Sequence, residues 1–335
     1  MSVRSQSAEA RAQLQGSKRA RLGDVLTKRI VSIAAAGVLA LLLLIVLVLA
    51  TGGAKALHRF GLGFFTSTKW IPTEEIFGAA PYIFGTLVTS AVALVLAVPV
   101  AVGLSLFVTE VCPKPIRGPI AALSDMLAAI PSVVYGLWGI YVMVPWMERT
   151  LDPFLGRTVG KVPGLGALFH SSPNGGYNIF SAGVILAVMI LPIISSISRE
   201  VLSTVPREQK DGAYALGATR FEVVRGVTLP FARAGVVGAS VLGLGRALGE
   251  TIAVTMVIGG FNGRLGFSLF HSGDSIPSLI ASNFNEATTA GVERSTLVAL
   301  ALILVVISLA FAAFARLLVR RANRQMRASF ARAAA

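Results

Sequence analysis

Charged residues are scarce in this chain, and they are unevenly placed. Only 14% of its 335 residues are charged, whereas 54% are hydrophobic. Soluble globular proteins carry about 25% charged residues, so the composition argues against a pair of water-soluble domains. The apolar residues form long runs that short charged stretches separate. Such a pattern is typical of a polytopic membrane protein and predicts an all-α transmembrane bundle.

Residues that build metal, redox and nucleotide sites are also few. The one cysteine, Cys112, excludes an internal disulfide and a thiolate metal cluster. The three histidines, His58, His170 and His271, lack metal-ligand spacing. The sequence has no G-x-x-x-x-G-K-[S/T] phosphate loop. We therefore expect no metal site, no catalytic constellation of a membrane enzyme and no ATP-hydrolysing site in this chain.

The excess positive charge, formally +14, lies at both termini and in short loops between the apolar runs. A nucleic-acid-binding protein would carry it in a basic groove with stacking aromatic residues, so we expect no nucleic-acid partner. Lysine and arginine concentrate in the cytoplasmic loops of membrane proteins. All four basic regions fall on one side of the predicted bundle, which places both termini in the cytoplasm.

Six apolar segments are long enough to cross the membrane as helices, which takes about 20 residues each. We expect these spans near 30–50, 82–108, 119–147, 179–197, 231–259 and 296–319. Pro131 interrupts the third span and is expected to kink it, either as a static bend or as a moving joint. The predicted organisation is a basic tail at 1–29, a transmembrane domain at 30–319 and a second basic tail at 320–335.

The loop between the fourth and fifth spans, at 198–230, is long and patterned. Pro206 suits the first turn of a helix because its missing N–H is not needed there. Gly217 supplies a left-handed stop, and Thr219 with Glu222 has the spacing of a capping box. The loop is therefore predicted to form two short helices on the cytoplasmic face, the second ending at the Leu-Pro pair before the fifth span.

The same loop resembles a signature of bacterial ABC importer permeases, EAA-x3-G-x9-I-x-LP. The spacing matches throughout, with Asp for Glu, Gly for the first Ala and Val for Ile. In that family the element is a coupling helix that docks into a cleft of the ATPase subunit. The resemblance implies that the docking residues are Asp211, Gly212, Ala213, Gly217, Leu229 and Pro230.

The fifth span contains two ionisable residues near its middle, Arg246 and Glu250. Charged residues inside a membrane usually face the bundle interior, and residues four apart share one face of a helix. One interpretation is a salt bridge that only fixes helix packing. The other is a substrate pathway, in which the planar fork of arginine binds phosphate oxygens. Thr251 and Thr255 would add hydroxyl groups to that pathway.

Glu250 has two candidate roles in a substrate pathway. It would hold Arg246 in place when the pathway is empty, or accept a hydrogen bond from a protonated phosphate, because an ionised carboxylate only accepts. Asp125, in the third span, is a further candidate. Either it faces the interior and helps to gate the pathway, or it lies near the cytoplasmic interface.

Three longer stretches resemble the phosphate-specific permeases of the PstC type. They are RALGETIAVT at 246–255, LAAIPSVVYGLWG at 127–139 and IPSLIASNFNEA at 276–287, and the likeness covers most of residues 25–320. The resemblance implies the ABC importer permease (MetI-like) fold. It also associates Arg246 and Glu250 with the passage of phosphate.

The resemblance implies an assembly in the bacterial cytoplasmic membrane, surrounded by lipid. Its other parts are a PstA-like second permease that forms a heterodimer with this chain, two ATPase subunits inside and a phosphate-binding protein outside. The chain itself would bind no cofactor, because the partner ATPase uses ATP and Mg, and transport would proceed by alternating access. The alternatives are a permease for another oxyanion such as sulfate or molybdate, and a stand-alone channel or secondary transporter.

Overall fold

The computed structural model describes residues 18–163, 166–169, 175–260, 266, 268–287 and 291–333. Nearly all of its regular structure is helical. The α-helices are α1 Lys18–Phe60, α2 Gly63–Thr66, α3 Ala80–Leu106, α4 Lys114–Ala128, α5 Ser132–Trp138, α6 Val144–Trp146, α7 Asp152–Thr158, α8 Ile179–Ser203, α9 Arg207–Ala215, α10 Arg220–Val223, α11 Leu229–Gly249, α12 Ile252–Val257, α13 Ile276–Asn283 and α14 Val292–Ala333. Strands β1 Trp70–Ile71 and β2 Ile76–Phe77 form an antiparallel hairpin.

Helices long and apolar enough to cross a membrane account for most of this structure. Within the described residues there are five, at 23–60, 80–111, 179–203, 220–249 and 292–317. A sixth span results if the bent pair Lys114–Ala128 and Ser132–Lys161 is counted as one. The predicted all-α bundle with about six spans is confirmed.

The chain divides into two compact units, at 1–52 and 53–335. In the first unit, α1 begins at Lys18, earlier than the predicted start of the first span, and residues 1–17 lie outside the described part. Its residues from Gly23 to Val48 are exposed, and most of those after Arg29 are apolar. An apolar, exposed helix of this length is typical of one that faces lipid.

Helix α8 lies at the centre of the second unit. In its most apolar stretch, 72% of the residues are buried. The same fraction is 28% in the span that contains α3, 28% in the span that contains α11 and 22% in α14. The main core gathers around Ile185, Ile190 and Ile194 of α8. A smaller core joins Phe64 and Phe77 to α13 and to the start of α14. Among the described residues of this unit, much of the apolar surface of the outer helices is therefore exposed.

The third predicted span is broken instead of merely kinked. Helix α4 ends at Ala128, α5 begins at Ser132, and the two segments meet at 91°. Proline has no N–H, and its ring clashes with the carbonyl four residues earlier in a helix. Here Pro131 has extended backbone angles and caps α5. The carbonyl of Leu127 instead accepts a hydrogen bond of 2.8 Å from the hydroxyl of Tyr135.

The fifth predicted span, 231–259, was wrong at both ends. A π-helical turn at Val224–Thr228 joins α10 to α11 without a break, so the Leu-Pro pair lies inside the helical rod instead of ending a helix. Pro230 has no N–H to donate to a carbonyl of the preceding turn. The wider π-helical turn lets the helix continue although this hydrogen bond is missing. At the other end, Glu250 takes extended angles (φ −72°, ψ 128°) and ends α11 at Gly249.

Candidate substrate pathway and coupling surface

The loop that follows α8 folds as the sequence predicts. Helix α9 begins after Pro206, and Gly217 ends the turn with a φ of +85°, a conformation that glycine adopts without steric cost. The capping box is complete. The N–H of Thr219 donates to Glu222 Oε2 at 2.7 Å, and the N–H of Glu222 donates to Thr219 Oγ1 at 3.4 Å. We call α9 the coupling helix from here on, after the family element that it resembles.

The small residues of the coupling helix lie on an open surface. Asp211, Gly212 and Gly217 are exposed, and a Cβ added at either glycine would meet no atom within 4 Å. Large apolar side chains lie beside them, with Leu216 91% and Phe221 69% exposed. Exposed apolar surface next to small residues is a feature of protein docking sites.

The six predicted docking residues belong to two different elements. Asp211, Gly212, Ala213 and Gly217 lie on the coupling helix and its closing turn. Leu229 and Pro230 lie in the first turn of α11, after the π-helical turn. The Leu-Pro pair therefore shapes the base of α11, whereas the first four residues form the exposed tip of the loop. Their docking role stays a prediction.

Asp125 forms an ion pair that the sequence did not reveal. Arg199 Nη2 lies 2.6 Å from Asp125 Oδ1, and the two side chains are 10% and 50% exposed, respectively. Arg199 is in the last two turns of α8, just before the loop predicted to be cytoplasmic. Asp125 therefore joins α4 to the end of α8, which fits the interpretation of a residue near the interface better than that of an interior gate.

A second ion pair connects the coupling helix to the end of α3. Lys210 Nζ lies 2.6 Å from Glu110 Oε1, with the side chains 18% and 14% exposed. Neither residue belongs to a motif that predicts such a contact. No local pattern could have found the pair, because its two members are 100 residues apart in the chain.

Arg246 and Glu250 do not share a helix face. Arg246 lies in the last turn of α11, and Glu250 is already extended, so the rule for residues four apart does not apply. Among the described residues, the ion pairs within 4.0 Å join Arg59 to Glu75, Arg199 to Asp125 and Lys210 to Glu110. The interpretation of Arg246 and Glu250 as a packing salt bridge is therefore wrong for this chain.

The surroundings of Arg246 are open. Its side chain is exposed, and a Cβ added at Gly245 or Gly249 would meet no atom within 4 Å. Tyr135 lies near enough for its hydroxyl to interact electrostatically with the guanidinium group. The guanidinium donors of Arg246 thus remain available to a ligand or a partner helix.

The two threonines beyond the break use their hydroxyl donors locally. Thr251 Oγ1 donates to the carbonyl of Gly249 at 3.3 Å, and Thr255 Oγ1 donates to the carbonyl of Thr251 at 2.8 Å. Each hydroxyl still has lone pairs that accept hydrogen bonds. In this conformation Thr251 and Thr255 stabilise the start of α12, and Arg246 is the donor that faces open space.

Two glycines bring the broken helices together. A Cβ at Gly136 of α5 would collide with Met256 Sδ of α12, and a Cβ at Gly139 would collide with the side chains of Ile185 and Val257. The close approach of α5, α8 and α12 therefore favours glycine at both positions. This close approach brings the helix break after Ala128 and the helix break after Gly249 to the same hydrophobic core.

The chain was compared with known proteins. Residues 101–324 match the family described as "Binding-protein-dependent transport system inner membrane component". The chain is 44% identical over 302 residues to the phosphate transport system permease protein PstC of Xylella fastidiosa (strain 9a5c), covering 90% of this chain and 92% of that protein. It is also 44% identical over 298 residues to PstC of Haemophilus influenzae (strain ATCC 51907 / DSM 11121 / KW20 / Rd), covering 89% and 93%.

Solved structures support the fold. A chain of a bacterial alginate ABC transporter, in complex with an alginate pentasaccharide-bound periplasmic protein, matches with a TM-score of 0.58 and 16% identity. The match covers 89% of this chain and 96% of that chain. At this identity the likeness concerns the fold alone. The family match and the two relatives nevertheless show that this chain is an inner membrane protein of the binding-protein-dependent transport family, in its PstC-type branch.

Proposed function

We propose that this chain lines the translocation pathway of an ATP-driven importer of inorganic phosphate. The observation that carries the proposal is the exposed, unpaired position of Arg246 beside the break that follows Gly249. Arginine presents two parallel N–H donors that match two phosphate oxygens. The names of the relatives, which are phosphate transport permeases, support phosphate as the substrate.

The end of a helix is an unusual place for an anion, and this makes Arg246 necessary. The C-terminal carbonyls of a helix carry partial negative charge and repel anions. A positive side chain in the last turn offsets that repulsion at the end of α11. The guanidinium group of Arg246 is therefore the principal attraction for phosphate in our proposal.

Glu250 gives the pathway its preference among oxyanions. An ionised carboxylate accepts hydrogen bonds and donates none. Monohydrogen and dihydrogen phosphate carry a proton to donate to Glu250, whereas sulfate at neutral pH does not. The carboxylate therefore repels sulfate, and no hydrogen bond offsets this repulsion. The repulsion favours phosphate over sulfate.

Energy enters through partner subunits in this proposal. The coupling helix docks on an ATPase that binds ATP and Mg, and this chain hydrolyses no ATP itself. The complete importer contains a PstA-like second permease, two ATPase subunits and an external phosphate-binding protein, and both termini of this chain are cytoplasmic. ATP binding and hydrolysis make Arg246 accessible first from one side of the membrane and then from the other.

The test is ATP-dependent uptake of labelled phosphate into proteoliposomes that contain the assembled complex. We expect Arg246→Gln to reduce uptake roughly tenfold or more, as loss of a charged hydrogen-bond donor predicts. Arg59→Gln is the matched control, because Arg59 is exposed and pairs with Glu75 away from this site. Equal uptake by wild type and Arg246→Gln would remove Arg246 from the pathway. Uptake of sulfate or molybdate instead of phosphate by wild type would overturn the substrate.

A further inference from the structure

The coupling helix meets the end of the α3 rod through charge. Every residue of α9 is described, and none is buried. Its contact with α3 is the ion pair of 2.6 Å between Lys210 Nζ and Glu110 Oε1. Both side chains are more than four fifths removed from solvent, at 18% and 14% exposed. A pair this sheltered is screened little by salt.

Two cavities border Glu110, and one of them also borders Lys210. A cavity of about 410 Å³, lined in part by Tyr214 and Phe221, reaches Glu110 from one side. A second cavity of about 200 Å³, lined in part by Arg117, reaches both Glu110 and Lys210. Interdigitated side chains normally fix the position of one helix on another. Among the described residues, the ion pair is therefore the contact that holds the coupling helix against the turn after α3.

The contact continues from α3 into α4. Glu110 is part of a π-helical turn, Phe107–Val111, that ends the α3 rod. Arg117 of α4 donates from Nη2 to the carbonyl of Thr109 at 3.0 Å and to that of Cys112 at 3.4 Å. Thr109 lies on the same turn as Glu110, and Cys112 directly follows that turn. A displacement of Glu110 is therefore transmitted to α4 through the backbone that Arg117 holds.

Helix α4 leads directly to the proposed pathway. It ends at the break before Pro131, and the next helix, α5, contains Tyr135. Tyr135 bonds back to the last turn of α4 and lies within electrostatic reach of Arg246. Hydrogen bonds and ion pairs thus lead from the coupling helix towards Tyr135, which interacts electrostatically with Arg246.

We propose that Lys210 and Glu110 are positioning residues that transmit movement of the coupling helix to α3 and α4. This inference rests on the proposed function, because it takes α9 as the element that an ATPase moves. Removal of either partner leaves the other charge sheltered and unpaired. The coupling helix then shifts to hydrate that charge, and its movement no longer displaces α3.

The first test compares phosphate transported with ATP hydrolysed in the reconstituted complex. We expect Glu110→Gln and Lys210→Met each to lower that ratio about fivefold or more, the usual scale of a coupling energy. The charge swap Glu110→Lys with Lys210→Glu should return it to within about twofold of wild type. The double variant Arg59→Met with Glu75→Gln breaks an exposed ion pair of the same length, 2.6 Å, and should leave the ratio unchanged.

The second test does not depend on the substrate. Cys112 is the single cysteine of the chain, is 3% exposed and lies two residues after Glu110. Its labelling by a maleimide, read by mass spectrometry of the Cys112 peptide, reports movement of the turn. We expect a non-hydrolysable ATP analogue to change the labelling rate in the wild-type complex. The single variants should lose this response, and the charge swap should regain it.

The outcomes separate the two proposals. If wild type imports no phosphate but its Cys112 response depends on Lys210 and Glu110, the substrate is wrong and the positioning contact stands. If both single variants assemble and keep the wild-type ratio and Cys112 response, the contact is overturned. A charge swap that assembles but restores neither readout would also overturn it, since the role would then belong to the individual side chains.

Discussion

The hydroxyl of Tyr135 donates a hydrogen bond of 2.8 Å to the carbonyl of Leu127 across the break at Pro131. One side chain therefore satisfies a backbone acceptor that the proline leaves without its helical partner. The tyrosine is 8% exposed, so water does not readily replace the bond. The angle between α4 and α5 is thus stabilised by the hydrogen bond from Tyr135 to Leu127 as well as by Pro131.

Tyr135→Phe should destabilise this bend. We expect a loss of about 1 kcal/mol of unfolding free energy, the typical net value of one hydrogen bond, seen as a lower thermal midpoint in detergent. Tyr141→Phe is the control, because Tyr141 is 76% exposed. An equal midpoint for wild type and Tyr135→Phe would show that the proline alone sets the bend.

Gly85→Ala should damage the packing of α3 on the segment before α13. An added Cβ would collide with the backbone carbonyl of Asp274, which cannot rotate away as a flexible side chain could. We expect a cost of about 1–3 kcal/mol. Gly103→Ala on the same helix meets no atom within 4 Å and should stabilise the helix by roughly 0.5–1 kcal/mol. Thermal unfolding of the purified chains measures both, and a milder effect at Gly85 than at Gly103 would contradict the packing.

Asp274 should make stability depend on pH. It lies between the spans at 220–249 and 292–317, and burial raises its pKa from 3.8 to about 6, although hydrogen bonds involving Ser278 and the Ser275 N–H oppose the shift. The folded state therefore holds this proton more tightly than the unfolded state does. Its stabilising contribution is full below the unfolded pKa of 3.8 and is lost as pH rises to about 6.

The measurement for Asp274 is a comparison with Asp274→Asn, whose side chain cannot ionise. Relative to that variant, wild type should become less stable by roughly 2–3 kcal/mol between about pH 4 and about pH 7. The thermal midpoints of both chains are measured across this range. All other groups titrate in both chains, so their effect cancels in the difference between the midpoints. A constant difference would mean that Asp274 titrates normally.

Gly217 should tolerate asparagine but not glutamate. Its φ of +85° suits glycine and, at modest cost, asparagine, whereas other residues lose about 1–2 kcal/mol in the left-handed region. Glutamate would also add bulk and charge to the docking tip. We expect Gly217→Glu to hydrolyse ATP without importing phosphate and Gly217→Asn to keep most transport. Undiminished transport by Gly217→Glu would remove this turn from the docking surface.

Glu250→Gln should alter the pH profile of uptake. Glutamine donates as well as accepts hydrogen bonds, so the variant no longer requires a proton on the incoming anion. The neutral side chain also repels doubly charged monohydrogen phosphate less than the carboxylate does, so uptake of labelled phosphate should depend less on the fraction of dihydrogen phosphate, and sulfate should become a better competitor. A pH profile and a sulfate competition identical to wild type would leave Glu250 without a role in selecting the anion.

Features set by neighbouring residues could be predicted from the sequence. The stop at Gly217 and the capping box of Thr219 and Glu222 depend on hydrogen bonds within a few residues, and both are confirmed. The number of spans follows from the lengths of apolar runs, which the folded chain preserves. Local chemistry and hydropathy therefore defined the loop and the bundle.

The helix break at Glu250 could not be predicted, because the apolar pattern continues across it from Ala247 to Ile258. Nor could the π-helical turn before Leu229, since the proline signal alone indicates a helix end. The pairing of Lys210 with Glu110 depends on how α3 and the loop pack in three dimensions. Periodicity carries no information about that packing. The roles of Arg246, Glu250, Thr251 and Thr255 in transport stay predictions.

The exposed tip of the coupling helix has a consequence for the cell. Leu216 and Phe221 are 91% and 69% exposed. A chain without its partner therefore presents exposed apolar surface at this tip. Such a surface invites self-association and recognition by quality-control proteases. We therefore expect the abundance of this subunit to follow that of the protein that covers Leu216, with any surplus being degraded.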